Sequence, residues 1–277
     1  MSLRFGTSGI PLSSRRPGTD HGIARARALG LDCLEMAWSN GVRMGPAMAR
    51  PRQCAAAART HRLQLTAHAP YYVNLCADGP VAARSRRRLI DTGRLAARCG
   101  ARSFCFHAGF YPARGAAEAG RRVRRGLAEV SATLRGEGND IDIRPELTGK
   151  ASQVGSLDEI LAWSAEVEGV RPCIDFSHQY ARSQGAFNRY DDFTALLERV
   201  RSRLGRTALE RLHVHISGIE FGPRGERRHL PLRRSKFRYR ELLRALKDAR
   251  VSGWVVCESP EMERDALRLQ RAYRRLP

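Results

Sequence analysis

The chain has 277 residues, enough to bury a full core and near the upper edge for one domain. Its 49 Lys+Arg against 28 Asp+Glu give a formal charge of +21, and only Lys150, Lys236 and Lys247 are lysines, so the excess is nearly all arginine. That balance favours a polyanionic partner through phosphate neutralisation. The 42% apolar content without a long polar tract excludes disorder, and no run of about 18 apolar residues exists to span a membrane.

In chain order, short stretches rich in β-formers alternate with Arg- and Ala-rich segments of helical spacing. The strands are expected at Leu3 to Gly9, Leu31 to Trp38, Leu63 to Pro70, Ser103 to Gly109, Asp142 to Thr148, Val170 to His178, Arg211 to Gly218 and Gly253 to Pro260. Met1 leads directly into the first strand, which predicts no signal peptide and a cytoplasmic protein. Segments such as Arg84 to Cys99 and Arg189 to Leu204 read as helices with solvated arginine faces. Strands alternating with helices imply parallel pairing through right-handed crossovers. Eight such units suit a (β/α)8 TIM barrel, which needs about 250 residues, and no Gly-x-Gly-x-x-Gly follows the first strand to argue for a doubly wound sheet. With no linker between two composition zones, residues 1–277 are expected to form a single domain. The seven cysteines form no Cys-x-x-Cys, several lie in apolar runs (Cys105, Cys173, Cys257), and all are expected to be reduced core thiols.

In such a barrel the carboxyl ends of the strands converge on one face. Here those ends carry His68, His107, Glu146, Asp175 with His178, His213 with His215, and Glu258, and His229 lies in the loop after strand seven. One His at a strand end is commonly a hydrogen-bonded rim residue. Six consecutive strands each ending in His, Asp or Glu point instead to a shared metal site. Imidazoles with carboxylates and no thiolate suit Zn2+, with Mn2+ or Fe2+ as alternatives, and there are more donors than one tetrahedral ion can use. A shared carboxylate holding two ions suits phosphoryl displacement. His213 and His215 point to the same side of their strand, so both can be ligands, or His215 can be a supporting donor or a substrate contact. The Arg-rich stretch from Phe221 to Arg240 follows a strand end and so belongs to the same rim. Its Arg224, Arg227, Arg228, Arg233 and Arg234 are candidate phosphate contacts, and a helix is expected over Phe237 to Arg250.

The segments HAPYYVNL (68–75), PELTGKASQVG (145–155) and CIDFSH (173–178), in this order and at strand ends, resemble endonuclease IV, the metal-dependent abasic-site endonuclease family of the xylose-isomerase-like barrels. The resemblance runs from Phe5 to Pro260 and looks like a shorter branch of the family. It implies hydrolysis of the phosphodiester 5′ to an abasic site in duplex DNA by a hydroxide held between metals, leaving a 3′-hydroxyl and a 5′-deoxyribose phosphate. It implies two or three zinc-type ions. His68, His107 and Glu146 would hold the first, and Glu146 would bridge to a second held by Asp175, His213 and Glu258. His178 and His229 would hold the third. The family's Asp-x-His in the loop after strand seven would need Asp at 227, where the chain has Arg227, so Glu226 or His215 would have to supply the missing donor. Tyr71, with Tyr72 beside it, is the candidate wedge into the duplex, and Arg43 and Trp38 are candidates to fill the gap left by the missing base. A monomer acting near the nucleoid is expected. Two rivals remain at this stage: a divalent-metal sugar isomerase or epimerase of the same superfamily, and a DNA-binding barrel with a degraded metal site.

Overall fold

The computed structural model describes residues 3–38, 41, 51–113 and 115–277. In chain order the elements are β1 (Leu3–Ser8), α1 (Thr19–Ala28), β2 (Cys33–Ala37), α2 (Pro51–Thr60), β3 (Gln64–His68), α3 (Gly79–Arg98), β4 (Ala101–Phe106), α4 (Gly115–Gly136), β5 (Asp142–Pro145) and α5 (Leu157–Glu166). They continue with β6 (Cys173–Asp175), α6 (Phe176–Arg182), α7 (Tyr190–Leu204), α8 (Arg206–Glu210), β7 (Leu212–Ile216), β8 (Gly218–Gly222), β9 (Gly225–Leu230), a 3-10 turn at Leu232–Arg234, α9 (Tyr239–Asp248), β10 (Gly253–Cys257) and α10 (Glu263–Arg274). Eight strands pair in parallel in the order β5-β4-β3-β2-β1-β10-β7-β6. Parallel bridges Ile143 to Val170 and Glu146 to Cys173, with Leu147 N–H donating to the Cys173 carbonyl at 3.0 Å, bring β5 and β6 together and nearly close the barrel. This is the TIM barrel expected from the alternation of elements.

The period of two along each strand divides the molecule into two interiors. Leu34, Leu65, Phe104, Phe106, Ile143, Ile174, Val214 and Ile216 face the helices and join one buried apolar cluster with Leu89, Leu127, Phe193 and Leu243. Each such side chain, fully buried, stabilises the fold by about 1.5–3 kcal/mol before entropy is set against it. The alternate residues line the barrel axis, and they are polar: Glu35, Thr66, His68, Cys105, Arg144, Glu146, Cys173, Asp175, His213 and His215 are all buried. Buried polar groups must find partners or cost stability, so the axis is where function is to be sought.

The stretch after β7 is more ordered than a loop. β8 and β9 form an antiparallel hairpin, and the helix expected over Phe237 to Arg250 is α9, two residues shorter at each end. The hairpin tip is pressed against the segment after β5. Gly225 adopts φ 91°, and a Cβ there would lie 2.3 Å from the Gly149 carbonyl oxygen, so only glycine fits. Glu226 N–H donates to that same oxygen at 3.0 Å.

Candidate metal centre

At the carboxyl end of the barrel, strand ends aim their side chains at one point. His68 ends β3, His107 follows β4, Glu146 follows β5, Asp175 ends β6, His215 lies in β7 and Glu258 follows β10. Asp175 turns the chain from strand to helix: its Oδ1 accepts the His178 N–H at 2.8 Å and caps α6, which brings His178 to the same side. Glu146 is the hub. Its Oε2 lies 3.0 Å from His68 Nε2 and 3.3 Å from His107 Nε2, and its Oε1 lies 3.3 Å from both His178 Nδ1 and His215 Nδ1. His215 Nδ1 is also 3.5 Å from Glu258 Oε2.

Three groups of donors converge tightly enough to share an ion each: His68 with His107 and Glu146; Glu146 with Asp175, His215 and Glu258; and Asp175 with His178 and His229. The donor chemistry fits divalent cations. Glu146 Oε1, Asp175 Oδ2, His178 Nε2 and His215 Nδ1 are buried with no hydrogen-bond partner, a cost that a cation would remove. Three imidazoles are oriented from behind. Their Nδ1–H groups donate to backbone carbonyls, His68 to Ala69 at 2.7 Å, His178 to Leu147 at 2.9 Å and His229 to Glu258 at 3.1 Å, which turns each Nε2 towards the mouth.

The electrostatics follow from that crowding. Burial disfavours charge on every group, yet mutual pairing outweighs it in most. The Glu146 carboxylate beside His68 lifts that imidazole to about 9 against burial. His178 and His215 are likewise raised against burial, with Asp175 acting on the first and the Cys173 thiolate and Glu258 on the second. His107 and His215 hold Glu146 well below the carboxylate range. Glu258 falls to about 2 through His215, and Glu226 to about 2 through His178. For Asp175 burial wins and the carboxyl is pushed up. Protons on the imidazoles thus balance the carboxylates, and cations would take the place of those protons.

One placement differs from the expectations. His213, expected beside Asp175 and Glu258, lies one layer below them against Glu35, at 3.1 Å from Nε2 to Oε2; His215 reaches the mouth instead. The two are two residues apart on one strand, so both face inward, and the stagger of the barrel decides which is level with Glu146. Glu226, one of the two alternatives for the missing donor, is brought to the mouth by a bulge. β9 carries an extra residue: Glu220 pairs with Arg228 and Phe221 with Glu226, leaving Arg227 in a bulge. The bulge resets the alternation, so Glu226 and His229, three apart, both face the mouth. Glu226 Oε2 lies 3.3 Å from His178 Nε2, and its Oε1 lies 3.6 Å from His229 Nε2.

A cavity of about 290 Å3 opens over these groups, lined by Tyr71, Phe110, Lys150 and Gln153 as well as the donors. Tyr71 is 57% exposed with its ring 5.3 Å from that of His68, and Tyr72 is 60% exposed beside it. Arg224, Arg227, Arg228, Arg233 and Arg234 are all exposed, on the hairpin and the turn after it. Arg228 pairs with Glu220 at 2.8 Å and Arg233 with Glu261 at 2.9 Å. Trp38 is partly buried against the core, and Arg43 lies outside the described residues.

Comparison with known proteins agrees with this architecture. The family described as xylose isomerase-like TIM barrel matches residues 23–276. An uncharacterized protein of Methanocaldococcus jannaschii, MJ0133, is 39% identical over 275 residues, covering 99% of this chain and 98% of that one. A probable endonuclease 4 of Akkermansia muciniphila is 28% identical over 162 residues, 57% of this chain and 56% of that one. Among solved structures, endonuclease IV from Thermus thermophilus superposes with a TM-score of 0.75 at 23% identity, covering 98% of this chain and 97% of its own. A D-tagatose 3-epimerase-like protein superposes with a TM-score of 0.74 at 16% identity, covering 98% and 96%. These two structural likenesses establish the fold and leave nuclease and epimerase chemistry equally open. With the family matched along nearly its whole length, the chain belongs to the xylose isomerase-like TIM barrels.

Proposed function

We propose that this protein is a metal-dependent endonuclease that hydrolyses the phosphodiester 5′ to abasic sites in duplex DNA. The observation that carries the reading is the crowded donor mouth, with Glu146 and Asp175 each shared between two of its three donor groups, beneath a rim of exposed arginines. His68, His107 and Glu146 would hold one zinc-type ion. Glu146, Asp175, His215 and Glu258 would hold a second. His178, His229 and Asp175, with Glu226 in reach, would hold a third. Such ions supply Lewis acidity towards a phosphoryl group and make water a competent nucleophile near neutral pH.

The chain's own residues do the rest. Glu146 fixes the spacing of the first two donor groups. The backbone carbonyls behind His68, His178 and His229 keep their Nε2 atoms aimed inward, so little reorganisation is needed when substrate arrives. Arg224, Arg227, Arg228, Arg233 and Arg234 would engage backbone phosphates and fix register without reading sequence. Tyr71, exposed at the cavity edge, would enter the duplex beside the lesion. An abasic nucleotide has no base to unstack, so extruding it into the mouth is cheap, and selectivity follows without base contacts.

A sugar epimerase is the competing reading, because epimerases share the fold. A neutral sugar would gain nothing from a +21 chain or from the arginine rim. The test is incubation of the purified protein with a duplex carrying one abasic analogue and, separately, with ketoses, each with and without EDTA. Incision 5′ to the lesion that EDTA abolishes supports the nuclease. Metal-dependent conversion of a ketose without incision overturns it.

A further inference from the structure

The mouth does not account for all the donors on the barrel axis. One layer beneath it, Cys105, Cys173, His213 and His215 offer ligand atoms that all lie within 4.8 Å of one another, and all four are fully buried. The layering follows from strand parity. Cys105 sits two residues before His107, Cys173 two before Asp175, and His213 two before His215, so each points inward one step below a mouth residue. Glu35, on the opposite wall, completes the cluster. Its carboxylate lies 3.1 Å from His213 Nε2, 3.2 Å from His215 Nε2 and 3.4 Å from Cys105 Sγ. Cys105 Sγ lies 3.7 Å from His215 Nε2. The two Cys105 separations fall in the range of about 3.3–3.8 Å spanned by the edges of a tetrahedron of zinc ligands, and the two from Glu35 to the histidines lie just short of it.

The polar accounting points to a ligand as well. Both ring nitrogens of His213 and the Oε1 of Glu35 are buried without a hydrogen-bond partner. A neutral network of the same residues would leave those atoms unpaired at a cost of about 1–3 kcal/mol each. We propose that the barrel holds a further, structural cation of the zinc class in this layer, bound by the thiolates of Cys105 and Cys173 and by His213, with Glu35 closing the shell. Thiolate with imidazole selects a softer ion than the carboxylate-rich mouth, so the two layers differ in donor class as well as depth. His215 presents Nδ1 to the mouth and Nε2 to the lower cluster. With Glu35 on the lower ion, the Nε2–H of His215 would donate to that carboxylate and keep Nδ1 free for the mouth, as outer partners do for metal-bound histidines.

The inference does not depend on what the mouth catalyses, and its test is spectroscopic. The full-length chain is produced in zinc-depleted, cobalt-supplemented medium, so that the buried layer fills during folding. Cobalt bound by thiolate gives an intense near-ultraviolet sulfur-to-metal charge-transfer band, which histidine and carboxylate ligands cannot produce. The band is expected in the wild type, is expected to fall about tenfold in Cys173→Ser and Cys105→Ser with the loss of one cobalt per chain, and is expected to persist in Glu146→Gln. Cys54 and Cys99, a second pair of buried thiols hydrogen-bonded to each other away from this layer, are untouched in these variants and serve as the internal control. A folded wild type lacking the band, or a band undiminished in Cys173→Ser, overturns the proposal. Should the serine variants fail to fold, zinc-edge X-ray absorption of the wild type decides: sulfur in the metal shell supports the site, and a shell of nitrogen and oxygen alone rejects it. Loss of incision with the band intact would remove the nuclease reading and leave this one standing.

Discussion

The barrel axis has two polar ends that treat the same problem in opposite ways. At the floor, Arg144 is fully buried, yet its terminal nitrogens are paired: one donates to the Pro172 carbonyl at 3.0 Å, the other to Asp142 and the Arg211 carbonyl, each at 3.0 Å. Its guanidinium also lies 5.4 Å from the Trp254 ring centroid, and Trp254 Nε1–H donates to Gln64 at 2.8 Å. Asp142 takes further donors from Arg171 at 3.0 Å and Arg211 at 3.2 Å. At the mouth the buried donors outnumber the protein partners available to them. Within the floor cluster only Arg144 Nε is left without a partner, so that cluster nearly completes itself and serves stability, whereas the many orphaned donors of the mouth are arranged for a ligand.

The comparison can be broken most sharply at its hub. Glu146→Gln removes the shared carboxylate, and incision is expected to fall by at least about a thousandfold, roughly 4 kcal/mol of barrier, with binding to abasic duplex largely kept. Incision at wild-type rate would reject Glu146 as the shared ligand. At the other end, Arg144→Leu removes one of the three guanidinium partners of Asp142 and the donor to the Pro172 and Arg211 carbonyls, and should cost about 1–3 kcal/mol in urea unfolding while mouth metal content is unchanged. A loss of metal without a loss of stability would reverse the roles assigned to the two ends.

A third expectation concerns pH. His68 stands at about 9 in the metal-free fold against about 6.5 in an unfolded chain. A raised imidazole stabilises the metal-free fold fully below about 6.5, and that contribution is lost as pH rises through about 9. Cations must displace this proton, so the gain in Tm on adding zinc should grow between about pH 6.5 and pH 9. A gain that shrinks over that window would show that protons and cations do not compete here. The smallest effect is at the rim: Arg227→Ala with Arg228→Ala should lower the salt slope of DNA binding by about one per arginine. An unchanged slope would remove these two from the phosphate path.

Much of this was legible in the sequence because both signals are periodic. Seven of the eight barrel strands fall within their expected stretches, β4 starts two residues before its own, and the polar strand ends mark the mouth. Depth along the axis was not legible. His213 and His215 have the same parity, and only the stagger between strands shows which of them is level with Glu146. The same parity does point Cys105 and Cys173 inward beneath His107 and Asp175, but their apolar neighbours make them read as core thiols. The extra residue at Arg227 was hidden for a different reason, since a bulge in β9 is set by its pairing with β8 and by the docking of Gly225 on Gly149, both tertiary facts. Spacing alone therefore left the carboxylate at 226 an open alternative.

That bulged hairpin has a mechanical corollary. Glu226 and His229 ride on one ribbon, docked at its tip on Gly149 and Lys150 and along its length by Phe221 on Tyr180, so the same docking sets both donor atoms. A change that undocked the ribbon would remove His229 and Glu226 together from one corner of the mouth while leaving Asp175, His178, Glu146 and their neighbours in place.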